Sequence, residues 1–410
     1  MKTYKHLWEQ LISEENFRRA ESNSIKGKGR QRGVQAYMKD PDGKREALRQ
    51  AVITGTYRTS RYASKTIHEP KTRVIYKLPY YPDRLLHHAL MNVLRPIFEE
   101  KFIQNSYACQ KGKGPLKASL KCSEMVRRFK YCLQCDIRKF YPSVDQEILS
   151  RQLHRIIRDE RFMRVLDDII FSFPGGKNVP IGNYTSQWLA NYYLTGLDNF
   201  ILHGLKPGGY IRYNDDFLIF DNDKGKLREC RQRVEEYIRE NLALEFSRAD
   251  VFHTRQGVDF CGYRHFGKYV LIRKATARRL KRRYRGIRRQ MERGGWNRER
   301  IAGQVASGNG LMRHACSYHL RKAIGHDEIW EKVREDMKER EEKEHETDET
   351  EGRDDHDGPG REQCRADPCA GAGLCCGGHA EGADHPGEPG NGTDGKPGVS
   401  RGDSGIGGRV

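Results

Sequence analysis

The stretch YIRYNDDFLIF, residues 210–220, decides the fold. Its two flanks are rich in aromatic and β-branched residues, which fit a pleated, half-buried surface. Two such runs around Asn214, Asp215 and Asp216 read as a β-hairpin with carboxylates at its tip. Two explanations compete here. Asn and Asp tolerate the φ > 0 conformations that tight turns require. Alternatively, carboxylates at the end of an apolar strand are placed to hold a metal ion. A four-residue pattern arises easily by chance, so the rest of the chain must arbitrate.

Composition narrows the partners. The chain has 410 residues and a formal charge of +19. Residues 341–410 carry 17 Asp/Glu and 7 Lys/Arg, whereas the first 340 carry 68 basic and 39 acidic residues, a net of +29. A folded part this basic suits a polyanion such as nucleic acid; a merely solvated basic surface is the alternative. No window approaches 18 consecutive apolar residues, and the N-terminal MKTYKHLWEQLISEEN is polar, so neither a membrane span nor a signal peptide is expected. The 11 cysteines lack the spacing of a secreted disulfide framework, which favours a reducing cytoplasm.

From about residue 338 to 410, Gly, Pro and charge dominate, and a disordered tail is expected. Cys364, Cys369, Cys375, Cys376 and His379 within it match no standard zinc module. Upstream, strand-like and helical patterns alternate. TSRYASKTIHEPKTRVIYKL (59–78) reads as two strands around Glu69-Pro70-Lys71, and DRLLHHALMNVLRPIFEEKF (83–102) as a helix. His87 and His88 on that helix read as packing or surface residues. DQEILSRQLHRIIRDERF (145–162) reads as one further helix. In RKATARRLKRRYRGIRRQMER, Ala277, Leu280, Tyr284, Ile287 and Met291 form one apolar face. Arg278, Arg282, Arg285 and Arg289 are among the bases on the remainder, a surface suited to a phosphate backbone.

A second carboxylate stands in KYCLQCDIRKFYPSV (130–144), where Asp136 ends an apolar strand much as Asp215 does. Two strands side by side would set Asp136 beside Asp215 and Asp216. Clustered carboxylates repel and are costly to bury unless cations neutralise them. Mg²⁺ suits such a cluster, being hard, oxygen-seeking and tolerant of water and phosphate ligands. Two such ions about 4 Å apart can activate an attacking oxygen and stabilise a leaving one, which is the chemistry of nucleotidyl transfer. Cys132 and Cys135 form a CxxC, but strand residues three apart face opposite sides, which argues against zinc or redox work.

The ordered blocks CDIRKFYPSV, PIGNYTSQWLANYYL, YNDDF, LEFSRADVF and VDFCGYRHF resemble those of reverse transcriptases. IGNYTSQ and the segment from Asp83 to Gly114 look like the enzymes of diversity-generating retroelements, which copy a template RNA into cDNA with errors at adenines. The resemblance covers about residues 1–325. It implies an α+β right-hand polymerase with fingers (1–105), palm (106–145 and 179–266), a fingers insertion (146–178) and a helical thumb (267–325). It implies Asp136, Asp215 and Asp216 as the catalytic set. Two Mg²⁺ ions would be held by Asp136, Asp215, Asp216 and the backbone of Ile137. Lys71, Arg73, Tyr141, Ile181, Gly182 and Gln187 would contact the dNTP, with Tyr141 the aromatic gate against a 2′-hydroxyl. Phe260, Cys261, Gly262 and Tyr263 match the primer grip. Implied partners are template RNA, a primer, dNTPs and a small basic helical accessory protein.

Departures accompany the match. Arg248 stands near where the family often has a lysine, Gln110 where it often has arginine, and Asn214 where methionine is commoner. Three rival readings remain: an RNA-templated RNA polymerase, against which Tyr141 argues; a bacterial or phage reverse transcriptase used in antiviral defence; and a non-catalytic RNA-binding scaffold, against which three retained aspartates argue.

Overall fold

The computed structural model describes residues 2–68, 72–294 and 296–351, with side chains as far as 338 in the final helix. The chain divides into two units, Met1–Cys364 and Arg365–Val410, and the second lies outside the described residues. The first mixes helices with small antiparallel sheets.

β1 (Ala63–Ile67) and β2 (Arg73–Lys77) pair alone as a hairpin. The central sheet contains β3 (Tyr131–Ile137), β4 (Gly209–Tyr213), β5 (Asp216–Asp221) and β6 (Phe246–His253), in the order β4-β5-β3-β6. β7 (Val258–Phe260), β8 (Tyr263–His265) and β9 (Val270–Ile272) form a third sheet.

The central sheet is buried on both faces, because its strands alternate two sets of apolar side chains. Leu133, Cys135, Ile137, Tyr210, Phe217 and Ile219 enter the main core, with Leu227, Val234 and Ile238 of the helix Lys224–Leu242. Cys132, Ile211, Leu218 and Phe220 point the other way, against Ala118, Cys122 and Val126 of the helix Pro115–Arg128 and Phe260 of β7. Cys132 and Cys135 are therefore in separate cores, as strand alternation requires, and burial pushes both thiols up.

One expectation needs correction. The helix expected over 145–162 is two helices, Gln146–Ile156 and Glu160–Ile170. Asp159 interrupts it, accepting from Phe162 N at 3.2 Å as a cap and from the backbone of Leu7 and Trp8 at 2.8 Å. The last described helix, His326–Glu351, continues into the stretch expected to be disordered. Its run of Glu, Lys and Arg consists of strong helix formers, so low apolar content does not preclude local helix. Ile329 and Val333 of this helix share a core with Leu280, Tyr284, Ile287 and Val305, so that helical unit runs past residue 325. The expected tail from 352 to 410, with its cysteines, lies outside the described residues.

Candidate active site

The sheet builds the carboxylate cluster by register. Asp136 faces Asp216 across β3 and β5, and Asp216 faces Tyr213 across β5 and β4. Asn214 and Asp215 make the two-residue turn between those strands. Asn214 is left-handed there, φ 54°, which Asn tolerates. The two opening explanations are thus compatible: Asn214 serves the turn, and the turn presents Asp215 next to a facing pair of aspartates.

Asp216 is half-buried, and its Oδ1, which is buried, has no hydrogen-bond partner. Burial first, then the charge of Asp136, push its carboxyl up to about 7, with Arg273 opposing and Asp215 adding to the rise. Among the described residues, no group of three or more His, Cys, Asp or Glu is arranged as a ready-made metal cage. That is compatible with Mg²⁺, which is commonly held by one or two carboxylates plus water and substrate phosphates. The unpartnered Asp216 oxygen and the mutual repulsion of the set fit a cation.

Ser247 completes the set and was not singled out from the sequence. The β3–β6 register shifts between Asp136 and Ile137, so that Asp136 faces Arg248 while Ile137 faces Phe246. Ser247 is the extra residue of this bulge, and bulges re-aim side chains in this way. Its hydroxyl donates to Asp136 Oδ2 and, at 3.1 Å, to the Asp136 carbonyl. Arg248, opposite Asp136 in register, turns its Nε to Asp250 Oδ2 at 2.7 Å.

Around the cluster, several expected residues converge. Tyr141 is half-buried. Burial first, then the charges of Cys109 and Asp215, raise its hydroxyl well above the ordinary range, while Arg73 opposes them. Tyr141, Arg73 and Asp215 therefore share one electrostatic environment. The Cys109 thiol reaches Gln187 Oε1 at 3.8 Å, linking Gln187 to the same pocket. Ile181 accepts from Tyr76 N at 2.8 Å, which ties the 180–183 loop to β2 and so to Arg73. Gly182 permits this approach: its φ is +128°, and an added Cβ would lie 2.0 Å from the Tyr76 carbonyl. Ser186 Oγ closes the loop by donating to Pro180 O at 2.7 Å. Ile137 is buried in the main core, which leaves its backbone carbonyl as the group for any metal. Lys71 lies outside the described residues.

The Phe260–Tyr263 hairpin approaches from the other side. Cys261 and Gly262 both have positive φ, the requirement of a tight two-residue turn. Burial first and then the charge of Asp216 raise the Cys261 thiol, so the hairpin tip lies by the aspartates. Gln134 Nε2 donates to Asp259 O at 2.7 Å, and Arg273 N to Gly262 O at 3.1 Å. Farther along, Arg278, Arg282, Arg285 and Arg289 are all exposed on the helix Lys274–Glu292. The first three line one open depression with Arg279 and Lys281. Leu280, Tyr284 and Ile287 are buried on its inner face, as the periodicity indicated.

The sequence reading also missed Arg212. It is fully buried, bonded through Nε to Asp198 Oδ1 at 2.7 Å and through Nη2 to Asp198 Oδ2 at 2.5 Å. Its Nη1 donates to Asn191 Oδ1 at 2.6 Å and to the Asn214 carbonyl at 3.1 Å, bracing the turn that carries Asp215. The available signal was a lone arginine inside an apolar strand, which demands a buried acid elsewhere.

The chain is similar to known proteins over the segment that carries these residues. Residues 65–265 match the family model described as reverse transcriptase (RNA-dependent DNA polymerase). Protein YkfC of Escherichia coli (strain K12) is 24% identical over 285 residues, covering 56% of this chain and 72% of that protein. The mitochondrial nuclear intron maturase 4 of Arabidopsis thaliana is 23% identical over 163 residues, covering 38% of this chain. Nuclear intron maturase 1 of the same plant is 20% identical over 89 residues. The match spans only 20% and 12% of the two maturases' own lengths.

Proposed function

We propose that this chain, whose reverse transcriptase domain makes it an RNA-directed DNA polymerase and hence a nucleotidyltransferase, extends a primer on template RNA with Asp136, Asp215 and Asp216 at its centre. The observation that carries the reading is the register pairing of Asp136 with Asp216 beside the Asp215 turn. Asp136, Asp215, Asp216 and the Ile137 carbonyl would hold two Mg²⁺ ions. Bound there, the ions would lower the pKa of the primer 3′-hydroxyl and offset charge on the phosphates.

The chain's own residues then have separable tasks. Ser247 fixes the Asp136 carboxylate by donating to it. Arg73, with Lys71, grips the triphosphate, and its planar fork of donors suits phosphate oxygens. Tyr141 stands under the incoming sugar, where a 2′-hydroxyl would collide with its ring. Gln187 and the Ile181-Gly182 loop position the nucleotide. Phe260, Cys261, Gly262 and Tyr263 hold the primer end, and Arg278, Arg282, Arg285 and Arg289 meet the duplex backbone. In this reading the fingers are residues 1–105 with an insertion at 146–178, the palm 106–145 and 179–266, and the thumb begins at 267 and includes Ile329 and Val333.

The finer role we propose is error-prone copying in a diversity-generating retroelement, supported by IGNYTSQ. Retroviral relatives have glutamine where Ile181 stands, and isoleucine offers the nucleotide no hydrogen bond. One such bond is worth about 0.5–1.5 kcal/mol, roughly a factor of two to ten in discrimination. A template RNA, a small basic helical accessory protein and a cytoplasmic location complete the proposal. Among the described residues no helix is long and apolar enough to cross a membrane. The maturase similarity covers a fifth or less of those proteins and so supports a shared catalytic domain rather than a shared role.

The test is primer extension on RNA with Mg²⁺. Asp136→Ala and Asp215→Ala are each expected to reduce extension by orders of magnitude, and undiminished extension in either removes the assignment. Sequenced cDNA from Ile181→Gln protein is expected to carry fewer errors at template adenines. An unchanged spectrum with polymerisation intact would overturn the role of Ile181.

A further inference from the structure

A half-open cleft of about 510 Å³ lies among the helices, lined by no strand residue and no member of the aspartate cluster. Its walls come from the helices Leu85–Lys101, Gln146–Ile156, Ser186–Tyr193, Thr195–Asn199 and Lys224–Leu242. Lys101, Arg151 and Arg155 bring three positive charges to it. Among the described residues, neither Arg151 nor Arg155 has an ion-pair partner. The one acid of the lining, Glu240, already lies 3.7 Å from Arg239.

Two more features point to a ligand. Thr195 is only 9% exposed, and its Oγ1 is buried with no hydrogen-bond partner. Such an orphaned hydroxyl is costly and rare in a folded protein. Tyr192 and Tyr237 supply aromatic walls, and burial raises both hydroxyls while the nearby charge of Arg155 opposes it. Cations at the rim, aromatic rings in the wall and a polar floor are the elements of a single-stranded nucleic-acid subsite.

We propose that this cleft binds the phosphate backbone of an RNA strand outside the catalytic centre, with Arg151 and Arg155 on phosphates and Thr195 hydrogen-bonding the strand. The inference rests on the RNA-templated reading above. It gives that reading a second contact with the template, away from the point of synthesis. Strand RNA is favoured over a free nucleotide because the cleft is half open and the first 340 residues carry a net charge of +29.

The experiment uses the full chain, with fluorescence anisotropy of a long single-stranded RNA across a salt series. Each neutralised phosphate contributes about 0.7 to the slope of log K against log salt on a single strand, so Arg151→Ala with Arg155→Ala should lower the slope by about 1.4. Thr195→Val should weaken binding with the slope unchanged. Extension on a short primer–template duplex should stay at the wild-type level in both variants. If the wild type fails to extend that duplex while the slope still falls, the polymerase reading fails and the cleft stands. An unchanged slope and affinity overturn the cleft. Binding of a ribonucleoside triphosphate that the double variant abolishes, with RNA binding unaffected, also overturns it in favour of a small ligand.

Discussion

Asp198→Ala is the substitution that most directly tests how the site is held. Asp198 and Arg212 are both fully buried, and Asp198 accepts from Arg212 Nε, Arg212 Nη2 and the Tyr210 hydroxyl, the last at 2.7 Å. Burial alone would lower the Arg212 pKa, yet it is raised, because the Asp198 charge and hydrogen bonds outweigh desolvation. Removing Asp198 leaves a guanidinium charged and unpaired in the core. Breaking a buried pair from one side costs about 3–5 kcal/mol. With a urea dependence of about 3 kcal/mol per molar, the midpoint should fall by about 1.0–1.7 M. The assay is urea unfolding followed by circular dichroism, with primer extension measured in parallel.

The double substitution Asp198→Leu with Arg212→Met separates stability from positioning. Replacing a whole buried ion pair by apolar side chains is often close to neutral, so most of the lost stability should return. Extension should not return, because the bond from Arg212 Nη1 to the Asn214 carbonyl is gone. A midpoint for Asp198→Ala within about 0.3 M of wild type would refute the buried-pair argument. Full extension by the double variant would refute the bracing of the turn.

Four other outcomes are expected. Tyr141→Ala should raise the ratio of rNTP to dNTP incorporation, and a constant ratio would make Tyr141 a packing residue. Gly182→Ala should cut extension sharply, since its Cβ would meet the Tyr76 carbonyl at 2.0 Å with φ at +128°; wild-type activity would show that the loop need not touch β2. His87 and His88 are held neutral with pKa values of about 3, and His265 at about 4, by burial first. The unfolded chain takes up those protons below about 6.5, so stability is fullest above 6.5 and falls about 1.4 kcal/mol per pH unit per histidine toward the folded values. A urea midpoint no lower at pH 5 than at pH 7.5 would contradict this. A chain ending at residue 324 should unfold more readily than one ending at 351. It loses the 2.6 Å Tyr284–His326 bond and the burial of Ile329 and Val333, together about 3–6 kcal/mol. Equal thermal midpoints would show that the final helix is dispensable.

The sequence made the local chemistry legible and left the long-range partners obscure. Alternation in residues 131–137 and 210–220 announced the strands, and the carboxylates at their ends announced the cluster. The bulge at Ser247 had no sequence signal, because an extra residue in one strand is defined only against its partner's register. Arg212 could be suspected from its apolar surroundings, yet its partner, Asp198, lies on a helix between the loop and the strand, where an acid looks like surface. Asp159 itself caps locally, accepting from Phe162 N, and so left a sequence signal; what the sequence hid is that its other oxygen is held by Leu7 and Trp8, more than 150 positions away.

The sheet explains how one hairpin can carry both a buried cation and an acidic site without the two cancelling. Side chains alternate along β4 and β5, so Arg212 pairs in register with Phe217 and faces the main core, where Asp198 neutralises it. Tyr213 and Asp216 face the other way, toward Asp136. Arg273 is the cation that opposes the rise at Asp216, and its own backbone N–H is engaged by Gly262 of the hairpin beside it. The guanidinium that braces the turn is thus held on the opposite face by a dedicated acid. On the aspartates' own side, Asp136 and Asp215 raise the Asp216 carboxyl, and divalent cations with a triphosphate together would relieve that repulsion.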